Sequence, residues 1–168
     1  MGAILLADNS PHARRMGERI LHDEGYAVEC VADGEAAFER LSTMDAALDL
    51  DLVIADAFLA GRSGFDVCRE AKTRRRHVRV ILTGGLLETL DEEEARRAGS
   101  DAVIRKPFEA TAFLEAVRQQ VQEARMARVP LEDRERVAAE VARQLEAALP
   151  GVVREITEKV FTALRNNK

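Results

Sequence analysis

Short apolar runs alternate along the first part of the chain with longer segments whose apolar positions recur every three or four residues. Runs of four to six residues are too short for helices and, where they are bounded by turn-forming residues, predict buried strands. Five segments predict strands: Ala3–Ala7, Ala27–Val31, Leu50–Ala55, Val78–Thr83 and Ala102–Arg105. The run at 78–83 is the richest in the β-branched residues that favour strands.

Helix start and stop signals lie between these runs. Ser10 can cap a helix that has Pro11 at its first position, and Gly25 ends it. The later helices are expected from Asp33-Gly34, over 64–73, over 88–98 and from about residue 109. Five strands alternating with five helices predict an α/β fold, a doubly wound parallel sheet covered on both faces.

The pattern changes after about residue 125, where strand-like runs stop and Ala, Glu and Arg dominate. Apolar residues continue at spacings of three and four, at Val137, Val141, Leu145, Leu149, Val153, Ile156, Val160 and Leu164. Pro150-Gly151 interrupts this stripe, so it predicts two amphipathic helices or one kinked helix. We therefore divide the chain into a domain at 1–124 and a helical tail at 125–168.

Composition and charge narrow the function classes. The 168 residues carry a net charge of -5, which argues against nucleic-acid binding by the whole chain. No apolar run is long enough to span a membrane, and the first residues lack the basic segment of a signal peptide. We expect a cytoplasmic protein whose two cysteines, Cys30 and Cys68, are buried thiols.

Four polar residues follow or end four of the predicted strands: Asp8, Asp56, Thr83 and Lys106. The carboxyl ends of parallel strands share one edge, so these side chains should converge there. Two close carboxylates attract a divalent cation, and all-oxygen ligands suit Mg²⁺. The cation and Lys106 would neutralise an incoming phosphoryl group, and a carboxylate could attack its phosphorus.

These residues stand in blocks that resemble the receiver domain of bacterial two-component response regulators. The blocks are Ile4–Pro11, Asp51–Asp56, Ser63–Phe65, Val80–Gly84, Gly99–Asp101 and Arg105–Phe108. The resemblance covers about residues 3–124 and implies a CheY-like fold with strand order 2-1-3-4-5. It also implies that Lys106-Pro107 is a cis peptide bond.

The resemblance assigns roles to the converging residues. It implies that Asp56 accepts a phosphoryl group from a histidine kinase or phosphotransfer protein, with Mg²⁺ required. Thr83 and Lys106 match the family's hydroxyl and lysine. The metal ligands would be Asp8, Asp56, the backbone carbonyl of Phe58 and the residue at position 9. We expect no enzyme activity beyond accepting and losing this phosphoryl group.

Three positions depart from the family pattern. Asn9 stands where a second acid is usual, so it can ligate only through an uncharged oxygen and metal affinity should fall. Val103 stands at the usual aromatic switch position and has no ring to rotate. Ala60 replaces a proline, which we regard as minor. Asn9 and Val103 keep open an alternative, a phosphorylation-independent adaptor or localisation module with the same fold.

The tail is too short for a helix-turn-helix output domain. Residues 125–168 hold nine Lys and Arg against seven Asp and Glu, so they lack the basic character of a DNA-binding element. Their apolar stripe needs burial and could associate with a second copy, dock an unknown downstream protein or pack on the domain before it. Self-association is the interpretation we favour. We therefore expect a homo-oligomer that signals through protein contacts, with no DNA.

Overall fold

The computed structural model describes residues 2–44, 50–85, 90–128, 133, 136–145, 147 and 149. The chain divides into two compact units, 1–128 and 129–168. In the first unit the strands are β1 (Ala3–Ala7), β2 (Ala27–Val31), β3 (Leu50–Asp56), β4 (Arg79–Gly84) and β5 (Ala102–Arg105). The helices are α1 (Pro11–Asp23), α2 (Gly34–Thr43), α3 (Gly64–Arg74), α4 (Glu92–Ala98) and α5 (Ala110–Arg128).

All five strands are parallel and stand in the order β2-β1-β3-β4-β5. This confirms the predicted α/β class and the strand order implied by the resemblance. The central strand β3 is buried along its whole length, as a strand covered on both faces must be.

Two apolar clusters cover the two faces of the sheet, because successive side chains of each strand point to opposite sides. Leu5, Val53 and Leu82 pack with apolar residues of α2, α3 and α4. Ile4, Ile54 and Ile81 pack with residues of α1 and α5. The core is aliphatic apart from a few phenylalanines, as the composition requires.

Local capping fixes where several helices begin. Ser10 Oγ accepts a hydrogen bond from the backbone N–H of Ala13, and Pro11 occupies the first turn of α1. Asp33 caps α2, and Ser63 and Asp66 form a reciprocal capping box at α3. These caps set the directions in which the chain leaves the carboxyl edge of the sheet.

The helix predicted over 88–98 is shorter in the structure. α4 begins at Glu92, because the carboxylate of Asp91 accepts hydrogen bonds from the backbone N–H groups of Glu93 and Glu94 and so caps the helix. Residues 86–89 lie outside the described part of the chain. Gly99, at a positive φ of 88°, ends α4 in the left-handed conformation that favours glycine.

The described part of the second unit is helical at 133, 136–145, 147 and 149. Val137, Val141, Leu145 and Leu149 are between 50% and 62% exposed. The other half of the predicted stripe and Pro150-Gly151 lie outside the described residues. In the part of the chain that the structure describes, no helix is both long and apolar enough to cross a membrane.

Candidate functional site at the carboxyl edge of the sheet

Strand register brings the predicted site residues together. Ala7 and Ala55 are partners across β1 and β3, so the next residues, Asp8 and Asp56, leave the sheet side by side. Thr83 is the partner of Asp56 across β3 and β4. Lys106 follows β5, and its backbone N–H donates to the Gly84 carbonyl at 2.8 Å.

Lys106 joins the two carboxylates. Its Nζ lies 2.5 Å from Oδ2 of Asp8 and 2.6 Å from Oδ2 of Asp56. The aspartate side chains are only 5% and 8% exposed, and that of Lys106 is 24% exposed. Burial lowers the pKa of Lys106, but the hydrogen bonds and charges of Asp56 and Asp8 outweigh it, so the pKa lies above its ordinary value.

The second oxygen of each carboxylate is held by the backbone. Oδ1 of Asp8 accepts from the N–H of Ser10 at 2.8 Å, and Oδ1 of Asp56 accepts from the N–H of Phe58 at 2.8 Å. Each aspartate thus has one oxygen anchored to its own loop and one directed at Lys106. The oxygen of Asp56 that faces the ammonium is the candidate nucleophile.

The remaining predicted residues lie around this pair. Thr83 is buried beside Asp56. Asn9 follows Asp8 in an exposed position, and Phe58 is placed at the site by its N–H bond to Asp56. The Lys106-Pro107 bond is cis, as the resemblance implies.

The site fits Mg²⁺ by its charge and by its donors. Two buried carboxylates face one ammonium, so the pair keeps an excess of negative charge. Among the described residues no group of three or more His, Cys, Asp and Glu could hold a metal. A cation here would therefore rely on Asp8, Asp56, uncharged oxygens and water, which is the ligand set Mg²⁺ accepts.

Two residues that shape the site were not predicted from the sequence. Arg14 on α1 donates from Nη1 to the backbone carbonyl of Asp8 at 2.6 Å and supports the loop that carries the acid. Gly64 lies so close to β3 that a Cβ there would stand 2.2 Å from the carbonyl oxygen of Asp56. Gly64 lies in the Ser63–Phe65 block that resembles the family, but the sequence alone does not show why a glycine is needed there.

Residues 4–118 match the family model described as "Response regulator receiver domain". The DNA-binding response regulator MtrA of Mycolicibacterium smegmatis is 29% identical over 115 residues, which is 68% of this chain. This chain spans about half the length of that relative, 48%.

Two solved structures show the same fold. A CheY-like receiver domain from Methanospirillum hungatei aligns with a TM-score of 0.68 and 23% identity, covering 76% of this chain and 98% of that one. The response regulator TrrA from Thermotoga maritima, solved in complex with Mg²⁺ and BeF, aligns with a TM-score of 0.62 and 25% identity. That alignment covers 71% of this chain and 99% of TrrA.

The family match spans well over half of the chain and contains all four converging residues. The parallel sheet, its strand order and the buried acid pair agree with that match. The chain belongs to the response regulator receiver family of two-component systems.

Proposed function

We propose that this protein is a phosphorylation-dependent switch in which Asp56 accepts a phosphoryl group from a histidine kinase or phosphotransfer protein. The observation that carries the proposal is the bridge from the ammonium of Lys106 to the carboxylates of Asp8 and Asp56, beside Thr83. This arrangement offers a nucleophile, a fixed cation and a hydroxyl at one edge of the sheet.

In the proposed reaction a carboxylate oxygen of Asp56 attacks phosphorus. The bond from phosphorus to the donor's imidazole nitrogen breaks, and that nitrogen keeps the electron pair. The product is an acyl phosphate on Asp56 and a free histidine on the donor. Mg²⁺ supplies charge neutralisation for the phosphoryl oxygens when it is bound.

The protein's own groups would do the remaining work. Lys106 is already within hydrogen-bond distance of Asp56, so it needs little movement to contact a phosphoryl oxygen. Thr83 can donate its hydroxyl to another oxygen. Asp8, Asn9, Asp56 and the backbone carbonyl of Phe58 are the ligands we propose for the metal. No further enzyme activity is proposed, apart from loss of the phosphoryl group.

We also propose that the output runs through protein contacts in the cytoplasm. MtrA is named as a DNA-binding regulator, but the match covers only 48% of it. Residues 125–168 are nearly balanced in charge, and the described stripe of Val137, Val141, Leu145 and Leu149 is at least half exposed. A second copy of the chain is the partner we propose for that stripe.

Intact-mass measurement with an acyl phosphate tests the switch. We expect one phosphoryl group per wild-type chain with Mg²⁺, and none with a chelator or in Asp56→Asn. Asp51→Asn is the matched control, because Asp51 is a buried carboxylate at the other end of the same strand. Absence of a mass gain in the wild-type protein would favour the phosphorylation-independent adaptor.

A further inference from the structure

A buried leucine packs directly on the last residue of β4. Leu90 is 3% exposed, and a Cβ added to Gly84 would lie 2.7 Å from its Cδ1, 3.3 Å from its Cβ and 3.6 Å from its Cγ. The Leu90 side chain therefore fills the space that any larger residue at position 84 would need. Leu90 also belongs to the apolar cluster on the α2, α3 and α4 face.

Gly84 is tied closely to the phosphorylation site. It follows Thr83, the strand partner of Asp56, and its carbonyl accepts the backbone N–H of Lys106 at 2.8 Å. A movement of Thr83 or Lys106 toward a phosphoryl group on Asp56 would therefore displace Gly84. The surface on which Leu90 rests would move with it.

Leu90 also lies just before the start of α4. It precedes Asp91, whose carboxylate caps the helix through the N–H groups of Glu93 and Glu94. The next residue, Glu92, forms an ion pair with Arg105 at 2.9 Å, and Arg105 precedes Lys106. The first turn of α4 is thus joined to β4, which carries Thr83, and to β5, which Lys106 follows.

Position 103 offers no comparable element. Val103 packs against the same cluster but is only partly buried, and its side chain has no ring that could turn inward. A change of state needs a contact that differs between the two states. The contact between Leu90 and Gly84 is one that any shift of the end of β4 must alter.

We infer that Leu90 is the side chain that couples the phosphorylation site to α4 in this protein. The Leu90 side chain contacts Gly84 in the unphosphorylated state. This contact is lost or rearranged when Thr83 is drawn toward the phosphoryl group. The first turn of α4 then moves with Leu90. The inference rests on the proposed function, since it assigns the regulation of the same site.

NMR spectra of the leucine methyl groups and of the backbone amides, recorded for the full chain with and without Mg²⁺ and beryllofluoride, test this directly. Beryllofluoride is a stable phosphoryl mimic. We expect the Leu90 methyl signals to shift whenever the amide signals of Thr83 and Lys106 shift. Leu41 is the internal reference, because it is equally buried in the same cluster, on α2. Shifts at Thr83 and Lys106 with unmoved Leu90 methyls would overturn the inference.

Variants give a second, independent measurement. If activation weakens the Leu90–Gly84 contact, Leu90→Ala removes a contact that favours the inactive state and should tighten beryllofluoride binding by about fivefold or more. Leu41→Ala, the matched cavity in the same cluster, should leave that affinity unchanged. Equal effects from both variants would mean that general loosening of the core, and not Leu90, governs the affinity.

Gly84→Ala provides a test that does not depend on whether Leu90→Ala folds. The added methyl group pushes the Leu90 side chain away from Gly84 and leaves no cavity. It should therefore change the beryllofluoride affinity in the wild-type background and change it much less in Leu90→Ala. Additive effects in the double variant would contradict the inference. If the wild-type protein shows no beryllofluoride response at Thr83 or Lys106, the proposed function fails and the coupling by Leu90 falls with it.

Discussion

Lys106 neutralises only part of the acid pair that it bridges. Asp8 and Asp56 are buried and each turns one oxygen toward the same ammonium, while backbone N–H groups hold the other oxygen of each. This leaves a negative site that is ready for a cation and fixed in position before any ligand arrives. We expect Asn9, beside Asp8, to set how strongly that cation is held.

Asn9→Asp should tighten Mg²⁺ binding. It adds a formal charge next to Asp8, and a unit charge about 4 Å away contributes at least about 1 kcal/mol, roughly a fivefold change in affinity. Asp8→Ala should nearly abolish binding, because it removes one of two carboxylates. Calorimetric titration of the unphosphorylated protein measures both effects. An unchanged titration for Asn9→Asp would show that position 9 points away from the metal.

The raised pKa of Lys106 predicts a loss of stability in alkaline solution. A lysine with a raised pKa in the folded state stabilises fully below its unfolded pKa, and this contribution disappears as the pH rises through the folded value. The free energy of unfolding should therefore fall above the ordinary lysine pKa of 10.5, and fall less steeply in Lys106→Met. Denaturant titrations at a series of alkaline pH values measure the two slopes. Equal slopes would contradict the ion pairs.

The converging residues were predictable because each follows or ends a strand, and parallel strands share one edge. Which atoms meet there was not predictable. The support of Asp8 by Arg14 and the close approach of Gly64 to Asp56 depend on how α1 and α3 pack, which no local pattern records. The contact of Leu90 with Gly84 escaped prediction for the same reason.

At the scale of the elements, the end of β4 and the first turn of α4 form the part of the domain that should respond to phosphorylation. Gly84 joins β4 to Lys106 by a hydrogen bond, and Glu92 joins α4 to Arg105 by an ion pair. α4 is held at its other end, where Sγ of Cys68 on α3 donates to the Ala98 carbonyl at 3.3 Å. We therefore expect the start of α4 to be the end that moves.

Amide exchange compared between the free and beryllofluoride-bound protein tests this expectation. Protection should change at 83–85 and 90–94 and stay nearly constant in β5 around Val103, because no aromatic rotation operates there. The α2 backbone serves as the internal control. It contacts β1 and β2, which β3 separates from β4 in the strand order. Changes confined to residues beyond 128 would contradict this account.

Pattern and caps predicted the elements well, with differences at their ends. β1, β2 and β5 have the predicted bounds, because apolar runs bounded by turn residues define short buried strands. β4 is shifted by one residue, since Gly84 still pairs with Arg105 despite being a glycine. The start of α4 was wrong because the acidic run at 91–94 is compatible with helix throughout, and only the cap at Asp91 marks the boundary.

At the scale of the whole molecule, the exposed tail stripe predicts self-association. Four described apolar residues are at least half exposed, and each such side chain contributes roughly 1.5–3 kcal/mol when buried. Light scattering should show a dimer or higher oligomer for the full chain at tens of micromolar. A chain ending after Arg128 should be monomeric. That end point keeps the ion pair of Arg128 with the buried Asp51 at 2.9 Å.

Two single substitutions in the tail sharpen that test. Leu145→Glu places a charge in the stripe and should shift the full chain toward monomer. Arg143→Glu is the matched control, because Arg143 is exposed and stands two residues from both Val141 and Leu145, which places it on the opposite face of the helix. A monomeric full chain would instead favour a different partner for the stripe, or its packing on the chain's own first unit.

Asp56 is the residue that we propose carries the phosphoryl group, and chemical trapping tests this most directly. Borohydride reduces an acyl phosphate of aspartate to homoserine, so peptide mass mapping after reaction with a phosphodonor and Mg²⁺ identifies the modified residue. We predict homoserine at position 56, with Asp8 and Asp51 unchanged and no trapping in a chelator. An unmodified Asp56, or trapping at Asp8 instead, would contradict the account.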